Sequence, residues 1–310
     1  MTQMTAPDGT PASRHSFGAM QFGGNADEAE SAAMYDACRA AGINFFDTAS
    51  SYTGGASETI LGRSVQQDRD GVVVATKAFY PKGASARNIH DSISQSLDRM
   101  GLDSVDLLYL HRWDADTPLE ESFQALAEVQ SSGRCRYLGV SNYAAWQVVK
   151  AQGVARTCGT RIDALQPMYN LVKRQAEVEI LPMCRSEGIA AVPYSPLGGG
   201  LLTGKYARGE HGRLNDDHRY EARYGPAWMH EAARALTAIA DELGVSPATL
   251  AVAWVARNPD VHGPILSARS VDQLRPSLAA IDFDMDDALY ERLTALTPAP
   301  PPATDRLEEA

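Results

Sequence analysis

The chain is short of several things, and each shortage excludes something. No apolar run reaches the roughly 18 residues that a membrane-spanning helix needs, so no membrane partner is expected. The opening stretch MTQMTAPDGTPASRH has no apolar core behind a basic start, and no secretory signal is expected from it. Basic residues are outnumbered: 28 Lys and Arg face 39 Asp and Glu, a net charge of -11. Nucleic acid asks for a basic face against its phosphates, so it is not an expected partner. Cysteine is sparse. Cys38, Cys135, Cys158 and Cys184 are scattered, with no C-x-x-C pair and no histidine at ligand spacing. That pattern argues against a zinc site, suits a reducing cytoplasm, and leaves the four as small apolar filler.

What is present is an ordinary globular composition, 44% hydrophobic and 22% charged over 310 residues. A βα rhythm runs through it. The strand SFGAM is followed by Asn25 and, three residues on, Glu28, a capping pattern. Met34, Ala37, Cys38 and Ala41 then share a helical face, and Gly42 closes it. The strand INFFD, a short helix around SETILGRSV and the β-branched run GVVVATK come next. Ile89, Ile93, Leu97 and Met100 mark another helix before the strand VDLLYLH. Thr117, Pro118 and Glu120 read as cap, first helical position and third position of the next helix. RYLGVSN, IDALQP, IAAVPYS and HGPILS supply the remaining strands. A helix is expected from about 175 to 187, with Pro182 as a kink, and another over PATLAVAWVARN.

About eight such units match a (β/α)₈ barrel in size and rhythm. A doubly wound sheet is the alternative. It would want a G-x-G-x-x-G turn after the first strand, and FGGNAD lacks one. The expected organisation is an N-terminal segment over 1–16, which could form a short hairpin, and a single barrel domain over 17–296. The tail over 297–310 is proline-rich, then charged, and expected to be loose.

A barrel gathers its active site at the carboxyl ends of its strands. Strand two ends in Asp47 with Tyr52 in its loop, strand three ends in Lys77, and strand four in His111. Singly, each is an ordinary cap, turn or surface residue; together, on successive strands, they are convergent titratable groups. A nearby ammonium favours a phenolate and lowers a tyrosine pKa from its usual value near 10. Asp47 can hold Lys77 charged, and His111 can bind a ligand oxygen or relay a proton. The set suits protonation of a carbonyl oxygen while hydride arrives at carbon. No side chain supplies hydride, so a nicotinamide cofactor is required.

At this point the chain resembles the aldo-keto reductase superfamily, from about Phe17 to Ile281. The resemblance rests on FFDTASSY, VATK and LYLH. It implies a catalytic tetrad of Asp47, Tyr52, Lys77 and His111, with Tyr52 as the acid/base. GVSNY and LQPMYN imply that Ser141, Asn142 and Gln166 bind the nicotinamide carboxamide. PYSPLGGGLLTGKY implies that Tyr194 stacks on nicotinamide, that Ser195, Pro196, Leu197 and Gly199 line the pyrophosphate, and that Lys205 reaches a phosphate. In PILSARSVDQL, Ser267, Arg269 and Gln273 take the adenosine positions. Arg269 could pair with a 2′-phosphate, which favours NADPH over NADH.

The family often has Glu-Asn at the adenine, where this chain has Pro276 and Ser277. It commonly has Gly-Thr-Met in strand one, where this chain has Gly18, Ala19 and Met20. Gly18 and Met20 are still expected to line the cofactor site. Trp113 is a candidate wall of the substrate pocket, with Met20, Tyr80, Tyr220, Tyr224 and Trp228 behind it. The segment from Tyr206 to Pro226 could be a lid or a surface loop. The expected substrates are aldehydes or ketones. The same branch resembles potassium-channel β subunits, so a cofactor-holding regulatory protein is the alternative. A Schiff base on Lys77, as in aldolases, is a third and more remote reading.

Overall fold

The computed structural model describes residues 2–78, 82–306 and 308. Eight strands form one parallel sheet: β1 (Ser16–Gly18), β2 (Phe45–Asp47), β3 (Val73–Lys77), β4 (Val105–Leu110), β5 (Cys135–Ser141), β6 (Ala164–Gln166), β7 (Ala190–Ala191) and β8 (Ile265–Leu266). Their spatial order is β7-β6-β5-β4-β3-β2-β1-β8, so each strand neighbours the next in sequence and β8 returns to β1. The sheet is curled, in the manner of an α/β barrel. Two backbone hydrogen bonds also run from the β8 side to the β7 side, His262 N–H to Ala191 O (2.8 Å) and Ile265 N–H to Pro193 O (2.9 Å).

Helices cover the outside: α1 (Glu28–Ala40), α2 (Ala56–Val65), α3 (Ala86–Met100), α4 (Leu119–Ser131), α5 (Ala145–Thr157) and α6 (Ile180–Glu187) follow β1 to β6. Then come α7 (Arg213–Asp216), α8 (His218–Tyr224), α9 (Ala227–Leu243), α10 (Pro247–Arg257), α11 (Val271–Leu278) and α12 (Asp287–Thr294). In α3, Ile89, Ile93, Leu97 and Met100 fall one or two turns apart and are all buried, the spacing that lays an apolar stripe on a sheet. Ser85 caps its start and Gly101, left-handed, ends it. Truncating one such leucine to alanine costs about 2–5 kcal/mol.

The period of two in the strands divides the core. Phe45, Val73, Ala75, Leu107, Tyr109, Ala164 and Ile265 form an inner cluster, while Phe46, Val74, Leu108, Val140 and Leu165 belong to the larger cluster under the helices. Met4 and Ala6 join the inner cluster, carried by a segment bridged between Thr5 and Pro11. They fill the end of the sheet where the strands begin. Beyond Thr297 no described residue is buried.

Several local expectations shift by a residue or more. Asp27, not Asn25, caps α1, accepting from Glu30 N–H at 2.8 Å; Asn25 donates to Gln21 instead. Pro118 precedes α4, because the Thr117 hydroxyl is used by the Asp114 carboxylate (2.6 Å). The helix expected over 175–187 is split into a 3₁₀ turn, Gln175–Glu177, and α6. Pro182 therefore falls in the first turn of α6, where its missing N–H has no helical partner to lose. No single helix is long and apolar enough to cross a membrane among the described residues.

Candidate active site

The inward parity that places Phe45, Ala75 and Tyr109 in the inner cluster also sets where the strands end. Asp47, Lys77 and His111 each lie two residues further along the same face. An apolar strand thus delivers its one polar residue to the inner rim.

Asp47 and Lys77 are both buried, 3% and 0% exposed, and form an ion pair through Asp47 Oδ1. The Lys77 ammonium also donates to Thr48 O at 2.8 Å. Its nitrogen lies 4.9 Å from the centre of the Tyr52 ring. Tyr52 meets His111 edge to face, ring centres 5.8 Å apart. From Asp47 a chain of hydrogen bonds then follows the rim. Gln166 donates to Asp47 Oδ2 (2.9 Å), Ser141 Oγ donates to Gln166 O (2.9 Å), Asn142 Nδ2 donates to Ser141 Oγ and His111 O (3.1 Å each), and Tyr194 donates to Asn142 Oδ1 (2.7 Å). Six consecutive strand ends are therefore joined in one polar network.

Electrostatics depart from the simple expectation at Tyr52. Lys77 does pull its pKa down, but burial outweighs it and the phenol sits above its usual value. Tyr52 is thus a fully protonated donor at neutral pH. Burial opposes charge on Lys77, yet Asp47 and Tyr52 together hold the ammonium above its ordinary range. His111 moves the other way. Burial first, then the Lys77 charge, lower it to about 3, so the imidazole is neutral.

Backbone strain marks the same region. Among the described residues four non-glycines have positive φ, and three of them, Thr53 (47°), Asn142 (60°) and Ser195 (60°), flank this network. Such strain persists only where the surroundings enforce it. The loop after β7 continues with Gly198, Gly199 and Gly200, all at positive φ (56°, 65° and 97°). A Cβ on Gly200 would lie 3.2 Å from Lys205 Nζ, so the ammonium rests against bare backbone. A Cβ on Gly199 would lie 2.6 Å from the Tyr220 ring, which covers this turn from the 206–226 segment.

Cations gather here in an otherwise acidic protein. Burial and then the Arg223 charge lower the pKa of Lys173, and Arg223 also acts on Tyr194. Apart from these, on the loop after β8, Arg269 is half-buried, and its guanidinium has no ion pair among the described residues; its backbone N–H donates to Gln273 Oε1 at 3.2 Å. A bare-backbone turn with clustered cations is the donor set that a dinucleotide phosphate chain fits.

The remaining expected residues fall as follows. Gly18 is buried against Ile265, and Met20 is half-buried. Pro196 is buried, Leu197 half-buried and Ser267 exposed. Ser277 is buried with 1% exposure, and Pro276 O accepts from Thr249, so both are engaged with the core. Trp113 borders a cavity of about 420 Å³ together with His111 and Leu110. Tyr80 lies outside the described residues.

A larger cavity, about 560 Å³, lies at the other end of the strands. Its buried polar groups are satisfied within the chain: Gln152 bonds both ways to Ile162, and Asp163 accepts from Leu138 N–H. It is not the candidate site. Tyr109 was not anticipated. It is fully buried beneath Asp47, Lys77 and Gln166; burial pushes its pKa well above the usual value, and its hydroxyl has no hydrogen bond of good geometry among the described residues. Gly139 makes room for it, since a Cβ there would come within 2.5 Å of the ring. Its place two residues before His111 is a signal that the period of two could have supplied.

Comparison with known proteins shows the family. The model of the Aldo/keto reductase family matches residues 16–298. The chain is 36% identical over 323 residues to a probable voltage-gated potassium channel subunit beta of Oryza sativa subsp. japonica, covering 96% of each chain. It is 33% identical over 320 residues to an uncharacterized oxidoreductase of Bacillus subtilis (strain 168), 94% of each. With the L-glyceraldehyde 3-phosphate reductase of Escherichia coli (strain K12) it shares 32% over 261 residues, 78% of this chain and 75% of the other.

Proposed function

Since the chain belongs to the aldo/keto reductase family, and is thereby an oxidoreductase acting on carbonyl groups, we propose that it reduces aldehydes or ketones with NADPH and that Tyr52 is the proton donor. The observation that carries this reading is the contact set of Tyr52 with the Asp47–Lys77 pair and the neutral His111. We read the sheet as a closed barrel, in line with the hydrogen bonds from β8 back to β7.

The family generally uses NAD(P)H, and the bound nicotinamide supplies the hydride that no side chain can. Tyr194, Ser141, Asn142 and Gln166 would hold its ring and carboxamide, and the Gly198–Gly200 turn with Lys205 its phosphates. Arg269 would take the 2′-phosphate, which is why NADPH is preferred. With hydride supplied to the carbonyl carbon by the bound cofactor, Tyr52 would give its proton to the carbonyl oxygen. Tyr52 is left as a phenolate beside the Lys77 ammonium, which offsets that charge in a water-poor site. Asp47 fixes Lys77 in place. His111, neutral, hydrogen-bonds the carbonyl oxygen and aims it at Tyr52. A Schiff base on Lys77 is disfavoured, because that role needs a neutral amine and Asp47 holds it charged.

Tyr52→Phe is expected to lower carbonyl reduction by about 10²–10⁴-fold. NADPH affinity should stay within about twofold, since the proton moves only in the transition state. Steady-state turnover and fluorescence titration of NADPH measure the two; turnover close to wild type would remove Tyr52 from its role. The likeness to a probable potassium channel subunit beta supports a second reading, a regulatory subunit that holds cofactor. Tight NADPH binding with no turnover across aldehydes, ketones and sugars would favour it.

A further inference from the structure

The polar rim explains how a carbonyl could be reduced, but not the aromatic surface beside it. Large hydrophobic side chains exposed to water number four among the described residues: Trp146 (62%), Val149 (48%), Leu243 (42%) and Trp228 (39%). Trp146 and Val149 lie three residues apart in the first turns of α5, hence side by side on one face. An indole left in water forfeits the stabilisation its burial would give, so core packing does not explain Trp146.

Its position does. Trp146 lies four residues after Asn142, in the first turn of α5, and Trp113 two residues after His111, on the loop after β4, so both follow strand ends that carry the polar site. Trp113 meets Trp146 edge to face, ring centres 5.7 Å apart, and meets Tyr143 at 5.2 Å. Tyr143 is buried (4% exposed). Trp113 is therefore braced on one side by a fixed ring and opens on the other to Trp146. It also borders the cavity that reaches His111. The first turn of α5 is tied down as well, by Gln147 Oε1 accepting from Ala144 N–H at 2.8 Å. The cavity's charged lining has both signs, Lys82 and Arg112 against Asp114 and Asp116. Asp114 is already engaged by Ala84 N–H and Thr117. Charge therefore does not select the ligand, and the aromatic side decides.

We propose that Trp113, Trp146 and Val149 form a shelf that holds the distal ring of an aromatic aldehyde or ketone of two or more fused rings, with its carbonyl at His111 and Tyr52. This rests on the reductase reading for the carbonyl end, but not for the shelf itself. Stacked or edge-on aromatic contacts contribute enough beyond area burial to change affinity roughly 3- to 10-fold.

Trp146→Ala and Trp146→Phe test it, with 2-naphthaldehyde and propanal as substrates in the presence of NADPH. In the alanine variant the ratio of kcat/KM for 2-naphthaldehyde to that for propanal should fall roughly 3- to 10-fold, mainly through KM, and phenylalanine should restore most of it. Calorimetric titration with 2-naphthylmethanol should weaken by a similar factor. An unchanged ratio, or equal losses on both aldehydes, would overturn the shelf. So would a change of sedimenting mass without a change of ratio, which would assign Trp146 to contact with a second protein chain. If no aldehyde is turned over at all, the reductase reading fails by itself. The naphthylmethanol affinity and its dependence on Trp146 then still decide the shelf.

Discussion

Asp47 and Asp106 are two buried carboxylates at opposite ends of the sheet, 3% and 0% exposed, and they are held differently. Asp106, at the start of β4, accepts from Val74 N–H and pairs with two arginines, Arg69 (2.8 Å) and Arg136 (3.0 Å), whose side chains are 18% and 33% exposed. Those guanidiniums stay charged under all ordinary conditions and keep contact with water. Asp47, at the end of β2, has a single lysine with no exposure and one amide, Gln166. A compact ammonium can face a carboxylate and a phenol at once, and here it does. The same kind of ion pair thus fastens strands at one end of the sheet and keeps an ammonium beside a phenol at the other. The difference lies in the cation and in its access to water.

The largest test of this contrast exchanges each acid for its amide. Asp47→Asn leaves the Lys77 ammonium buried without a counter-charge, which should cost about 3–5 kcal/mol of stability. Carbonyl reduction should fall at least about 10²-fold. Asp106→Asn should cost roughly 1–3 kcal/mol, because its arginines can turn to solvent, and should leave turnover within about twofold. Urea unfolding and kcat with NADPH measure both. Comparable loss of turnover in the two variants would end the distinction between a fastening pair and a working one.

A smaller effect sharpens the lysine–arginine contrast at the cofactor end. Arg269 has no ion-pair partner among the described residues and stands where a bidentate phosphate contact is proposed. Arg269→Ala should weaken NADPH binding about 10- to 100-fold, the range of a lost charged hydrogen bond, with NADH nearly unaffected. Binding titrations of both cofactors check it. Equal weakening would show that Arg269 does not distinguish them.

Much of this layout is legible in the sequence because a strand has a strict period. Once Phe45, Val73 and Leu107 are taken as inward, Asp47, Lys77 and His111 must reach the inner rim. The parallel order of the strands then places them side by side. Helix starts were less legible. Asp27 lies two residues past Asn25 and caps as well as it does, and at α4 the Thr117 hydroxyl is taken by Asp114, a neighbour that only the fold brings close. The pKa of Tyr52 could not be read at all. Its sign depends on whether burial or Lys77 prevails, a balance between two large terms that only the folded surroundings set. The aromatic shelf was hidden for a related reason. Trp146 falls on a helix, and nothing in the helical period says that its ring meets one from the loop after β4.

The smallest expected effect compares histidines at the two ends of the sheet. His15, at the amino-terminal end of the sheet, is buried with an unpartnered Nε2, and burial lowers its pKa to about 4. His111, at the other end, is lowered to about 3. Both are neutral in the folded protein, whereas the unfolded chain takes up protons near pH 6.5. Their contribution to stability is therefore complete above pH 6.5 and declines as the pH falls toward 4 and then 3. The wild type should lose stability between pH 7.5 and 5, and His15→Leu should recover roughly 1–2 kcal/mol of that loss with turnover preserved. Urea midpoints of both proteins at the two pH values measure it. If His15→Leu loses as much as the wild type on acidification, burial at the amino-terminal end of the sheet does not keep His15 neutral. The acid sensitivity would then belong to His111 and to His262, whose pKa burial also lowers.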